Sequence, residues 1–171
     1  MSGIFWLASY PKSGNTWFRI FLTNLLREAC APADINDLKE SPYASARAMF
    51  DEFTGIEASD LCADEIDRLR PELYRYLADH AEGPFFMKIH DAYTLVADNQ
   101  PLIPTAASTG ALYFIRNPLD VAVSFAHHSG WDYDTKLPLA LPWGEGYIGR
   151  IEAAVRNRRD RRLPLVEAGI K

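Results

Sequence analysis

Lys12 lies between Pro11 and the run Ser13-Gly14-Asn15-Thr16, so one ammonium group, a glycine and three polar side chains fall within a few residues of one another. That combination binds anions where a helix begins, because first-turn N–H groups lack intrahelical partners and the helix dipole adds partial positive charge. The order differs from a Walker A loop, in which the lysine follows the second glycine of G-x-x-x-x-G-K-[ST]; here Lys12 precedes Gly14. ATP is therefore not the first ligand to consider. A plain strand-to-helix turn capped by Ser13 or Asn15 would use the same residues, and both readings stand on this segment alone. A second group is Arg116 with Ser124 eight residues on. A guanidinium gives a phosphate a planar fork, and a hydroxyl can bond a further oxygen of the same group. An arginine facing surface carboxylates and a serine bonded back to its own helix is the competing account. The third group is Lys88-Ile89-His90, where a histidine suited to general-base work, or to a structural role, follows an apolar run.

Three short apolar runs must position these groups as strands: 4–9, 85–89 and 111–116. Each is nearly continuous, as in parallel strands covered on both faces. From Asn15 to Ala29, Trp17, Ile20, Phe21 and Leu25 recur at helical spacing, with Arg19, Arg27 and Glu28 for the solvent side. After Arg116, Asn117 caps a helix, Pro118 suits its first position, Asp120 favours its dipole and Gly130 ends it. Between these units, Ser59 starts a helix to about Leu69, Pro71 starts another ending near Gly83, and 31–58 is irregular. The fold class is α/β, a parallel sheet flanked by helices. Ligands of such sheets bind beyond the carboxyl ends of the strands, where Lys12, His90 and Arg116 would converge.

Taken together, the three segments resemble the sulfotransferases that use 3′-phosphoadenosine 5′-phosphosulfate (PAPS). Their Y-P-K-S-G-T-T-W loop is matched by Tyr10-Pro11-Lys12-Ser13-Gly14-Asn15-Thr16-Trp17, with Asn15 the one departure. Their R-N-P-x-D-x-x-x-S segment is matched from Arg116 to Ser124, and their K-x-H by Lys88-Ile89-His90. The resemblance implies a three-layer sandwich like that of the P-loop NTPases. It gives Lys12 the 5′-phosphate and bridging oxygen, lines the donor site with Ser13, Gly14, Asn15, Thr16 and Trp17, and assigns the 3′-phosphate to Arg116 and Ser124. His90 becomes the general base toward a small-molecule hydroxyl or amine acceptor, with Lys12 and Lys88 stabilising the leaving phosphate. No metal is expected. The resemblance covers about 4–130, leaving 131–171 as a Pro/Gly- and Arg-rich tail of the same domain. The family's R-K-G-x-x-G loop is not found there, so the expectation is a truncated member with an incomplete sheet, whose open edge leaves room for a homo-oligomer. A catalytically impaired remnant is the alternative, and a P-loop nucleotide kinase a more distant one.

The 171 residues suit one domain, and 48% hydrophobic with 24% charged residues is ordinary globular composition. The net charge of −5 is uneven: residues 150–171 carry seven basic and three acidic groups, a local +4, so 1–149 carry −9. An acidic body argues against general nucleic-acid binding, which rests on phosphate neutralisation by lysine and arginine. No apolar run is long enough to span a membrane. Cys30 and Cys62 lack metal-ligand spacing, which favours a reduced, cytoplasmic protein. His80, His127 and His128 fall near helix ends and read as structural. Trp6, Phe18, Phe85, Phe86 and Tyr113 read as core, while Tyr43, Phe50, Phe53 and Tyr93 are candidates to line an acceptor pocket.

Overall fold

The computed structural model describes residues 3–27, 31–96 and 99–130. Glu28, Ala29, Cys30 and the 131–171 tail, with the expectations attached to them, lie outside the described residues. The chain forms two units, 1–115 and 116–171. In chain order the first holds β1 (Ile4–Ser9), α1 (Asn15–Leu26), α2 (Arg47–Thr54), a 3₁₀ turn at Ala58–Asp60, α3 (Ala63–Asp79), β2 (Phe85–Ile89), a 3₁₀ turn at Thr105–Ala107 and β3 (Ser108–Phe114). In the second, α4 spans Pro118–Ser129. Among the described residues no helix is long and apolar enough to cross a membrane.

The sheet has the order β2-β1-β3 with both pairs parallel, as the α/β reading requires. Side chains alternate across a strand, so Ile4 and Trp6 of β1 and Met87 and Ile89 of β2 share one face. That face packs on Phe50, Ala58, Leu73, Tyr74 and Ala78 to make the core. Fully burying side chains such as Leu73 and Met87 contributes about 1.5–3 kcal/mol each. Lys88 and His90 fall on the alternate positions, away from this cluster. The core thus supports the strand end that carries Lys88 and His90 without including their side chains.

Several sequence expectations are corrected. The third strand begins at Ser108 and ends at Phe114, three residues early at its start, because Ser108 bonds the Trp6 indole (2.8 Å) and pairs with Ile4. Its side chains are largely exposed, Tyr113 by 66%, so β3 is not covered on both faces and Tyr113 is not core. Pro71 does not divide two helices. It is buried within α3, whose continuation carries Leu73, Tyr74 and Ala78 into the core, and that packing outweighs the lost N–H. The helix starts after Cys62, whose N–H donates to the Glu65 carboxylate (2.9 Å), and Ser59 lies in the preceding turn. Within the region read as irregular, α2 forms because Phe50 enters the core and Gly55 (φ 66°) provides a left-handed stop. In α4 the expectations hold: Asn117 Oδ1 accepts from the Leu119 N–H (3.0 Å), and Gly130 (φ 63°) ends the helix.

The faces of α1 also depart from the hydrophobic reading, of whose four apolar residues only Ile20 is half-buried. Trp17, Phe21 and Leu25 are exposed, whereas Arg19 and Arg27 turn toward the 34–41 loop. Arg19 donates to Ser41 Oγ (3.0 Å) and the Leu38 carbonyl (3.3 Å), and Arg27 pairs with Asp37 and Glu40. Loop carbonyls and carboxylates needed donors, and the two arginines supply them.

Candidate active site

The lysine turn is a strained one. Ser13 N–H donates back to the Tyr10 carbonyl (3.2 Å), Pro11 fills the position its fixed φ favours, and Lys12 takes the next position at φ 66°. That is the pattern of a type II turn, where glycine or asparagine is the comfortable residue. A lysine there costs about 1–2 kcal/mol, a strain of the sort retained at functional sites. Gly14 follows at φ 97° with open space where a Cβ would stand, and it precedes the first residue of α1. A ligand can therefore approach the backbone and meet the first-turn N–H groups of the helix.

Asn15 is turned inward. It is 4% exposed, and its Nδ2 donates to the Leu7 carbonyl (2.7 Å) and Ser9 Oγ (3.1 Å), while Oδ1 is buried without a hydrogen-bond partner. Its side chain is a strut tying α1 to β1. Trp17, in contrast, is 72% exposed and stacks on Phe21.

His90 reaches the same strand end from β2. Its Nδ1 lies 2.6 Å from the Ser9 carbonyl and 3.3 Å from Ser9 Oγ. A carbonyl can only accept, so Nδ1 carries the proton and Nε2 keeps the lone pair of a base. Burial lowers the His90 pKa below its ordinary value. The bond to Ser9 opposes this, and the Lys88 charge adds to it. The imidazole is thus neutral and able to take a proton at neutral pH.

Lys88 is half-buried, its Nζ 4.9 Å from the Tyr43 ring centre, and the Tyr43 ring centre is 5.7 Å from that of His90. Burial lowers the Lys88 pKa, and the positive fields of Arg19 and Lys12 lower it further. Burial likewise lowers that of Arg19. Lys88 therefore feels two further cations, Arg19 and Lys12, beside a neutral histidine. Repulsion of this kind at Lys88 is relieved by an anion. Thr16 and Arg19 also line a cavity of about 440 Å³ with Asn36, Asp37, Lys39 and Pro42.

Of the sequence-derived residues, Lys12, Ser13, Gly14, Asn15, Thr16, Trp17, Lys88 and His90 belong to the first unit, with His90 and Asn15 meeting at Ser9. Arg116 and Ser124 belong to the second, Arg116 exposed before the Asn117 cap and Ser124 half-buried within α4. Among the pocket candidates, Phe50 is core and Phe53 packs on it; Tyr43 flanks His90 and Tyr93 is 70% exposed. His80 caps α3 and bonds the Tyr76 carbonyl (2.8 Å). Sequence reasoning missed Ser9 and Arg19. Their only signal was position, at a strand end and one turn beyond the loop.

The donors gathered at the turn, ammonium groups, hydroxyls and first-turn amides, fit a multiply charged phosphate ester. Among the described residues no group of three or more His, Cys, Asp or Glu side chains could hold a metal ion. Residues 3–143 match the model of the sulfotransferase domain, and the chain belongs to that family. The match includes all three motifs and extends past residue 130. No curated protein matches the chain.

Proposed function

We propose that the chain transfers a sulfuryl group from PAPS to the hydroxyl, or amine, of a small acceptor by in-line displacement, with His90 as the general base. The observation that carries this reading is the convergence at Ser9: the β1 end that leads into the lysine turn also accepts the Nδ1 proton of His90, leaving Nε2 for catalysis. Bound PAPS supplies an activated sulfuryl group and a phosphate leaving group. Lys12 and the first-turn amides of α1 hold its 5′-phosphate side, where charge builds during transfer, and Lys88 adds a second ammonium. Ser13, Gly14, Thr16 and Trp17 line the donor, while Asn15 keeps the turn against β1. Arg116 and Ser124 hold the 3′-phosphate, an assignment resting on the sequence pattern. His90 removes the acceptor proton at Nε2. A cytoplasmic location belongs to the same proposal, supported by two cysteines without a pairing pattern.

Calorimetry with 3′-phosphoadenosine 5′-phosphate, paired with transfer of labelled sulfuryl from PAPS to a panel of hydroxyl acceptors, tests it. Wild type binds the nucleotide, and His90→Ala keeps that binding while losing about 10²–10⁴ in turnover. No binding by the wild type, or preference for ATP with magnesium, overturns the reading. An unchanged turnover in His90→Ala removes the base assignment.

A further inference from the structure

His90 follows the last residue of β2, and the residue after it is held with unusual completeness. Arg70 grips Asp91 with both arms, one terminal nitrogen to Oδ1 and the other to Oδ2, each at 2.8 Å. Arg70 is 6% exposed. Its remaining N–H groups go to Tyr74 Oη (2.9 Å), Asp67 Oδ1 (3.0 Å) and Ser45 Oγ (3.0 Å), so all five donors are used. Ser45 donates in turn to Asp91 Oδ2 (3.2 Å), and Tyr74 to the Ala44 carbonyl (3.3 Å). Burial works to raise the Asp91 pKa, but the hydrogen bond and charge of Arg70 overcome it and hold the carboxyl below its ordinary value. The pair is ionised.

The chain is fixed on the other side of His90 as well. Lys88 N–H donates to the Pro42 carbonyl and its carbonyl accepts from Ala44 N–H, both at 2.8 Å. Segment 42–45 thus bonds both residues that flank Ile89 and His90, and Arg70 clamps that segment to α3. The sheet alone does not hold position 91, because β2 ends at Ile89. A planar guanidinium with every donor engaged allows one geometry, which a hydrophobic contact would not impose.

We propose that Arg70, Asp91 and Ser45 form the positioning device of the base: they fix the backbone beside His90 so that its Nδ1–H meets the Ser9 carbonyl. Their catalytic meaning rests on the reading of His90 as base; the geometric effect can be measured without it.

The test is nitrogen-15 NMR of the His90 imidazole in the whole chain, assigned by its loss in His90→Gln, beside calorimetry with 3′-phosphoadenosine 5′-phosphate. Wild type is expected to show one neutral tautomer with the proton on Nδ1. Asp91→Asn keeps an oxygen for Arg70 but removes the charge that fixes both arms, and is expected to show a mixture of tautomers with nucleotide binding retained. A folded Asp91→Asn with the wild-type imidazole spectrum overturns the proposal. Should that variant not fold, Ser45→Ala removes two bonds of the network without leaving a charge unpaired: tautomer mixing supports the device, and an unchanged spectrum overturns it. Absence of nucleotide binding in the wild type defeats the sulfotransfer reading instead, and leaves the imidazole result fully interpretable.

Discussion

The turn at 11–16 and His90, which follows the end of β2, both reach Ser9, yet the two regions hold their polar groups by different means. The turn uses backbone: a lysine at φ 66°, a glycine at φ 97° and helix N–H groups left for a ligand. The β2 end uses side chains, with Arg70, Asp91, Ser45 and Tyr74 satisfying one another. An anion site must leave donors available and so accepts strain and incomplete bonding. A base must keep one lone pair in one place, which a saturated network ensures. On the proposed roles, stability and function oppose each other at the turn and agree at the β2 end.

The largest effect that would break this contrast is Asp91→Ala. Removing Asp91 takes both arms of the buried Arg70 off their main partner and leaves it only the more exposed Asp67 carboxylate, a loss approaching the ~3–5 kcal/mol of a broken buried pair, which is much of a domain's stability. Urea unfolding should show the midpoint fall accordingly. A loss within about 0.5 kcal/mol, the range of an ordinary surface substitution, would mean that water replaces Asp91 and that the two regions do not differ as argued. Lys12→Gly should act in the opposite sense. Releasing the left-handed strain gains about 1 kcal/mol, or roughly 2–4 °C in Tm, while nucleotide binding falls sharply. Lys12→Ala sharpens the point, because alanine loses the ammonium but keeps the strained φ, so binding falls without the gain in Tm. If both variants melt alike, strain at Lys12 is not a stability cost.

The same contrast governs what the sequence made legible. The turn was readable as a strand-to-helix connection because its pattern is local: Lys12, Ser13, Gly14 and the start of α1 are consecutive, and strand, turn and helix each leave a short-range signal. The Asn117–Gly130 helix was readable for the same reason. The network around His90 was not, since Ser45, Arg70 and Asp91 are separated by 25 and 21 residues and come together only through the tertiary fold. Pro71 misled because a local breaker was overridden by burial of α3. Trp17, Phe21 and Leu25 misled because hydrophobic spacing identifies a face but not its partner, and on α1 the 34–41 loop offers carboxylates and carbonyls that take the arginines instead.

The smallest predicted effect concerns protonation. An imidazolium cannot accept the acceptor's proton, so activity is lost as pH falls through the His90 pKa. Burial, with the Lys88 charge, holds that pKa below the ordinary value of 6.5, and the Ser9 bond only partly offsets it. The acid limb of kcat/KM should consequently lie below pH 6.5, with little change in rate above neutrality. Lys88→Gln removes a positive charge that disfavours the imidazolium, so the limb should move upward. Raising ionic strength in the wild type should move it the same way but less, because a half-buried pair of groups is incompletely screened. Titration of the His90 imidazole by NMR gives the same pKa without turnover, and so separates protonation of the base from any effect of Lys88 on the leaving group. A downward shift in Lys88→Gln would show that Lys88 acts on His90 through packing against Tyr43, not through its charge.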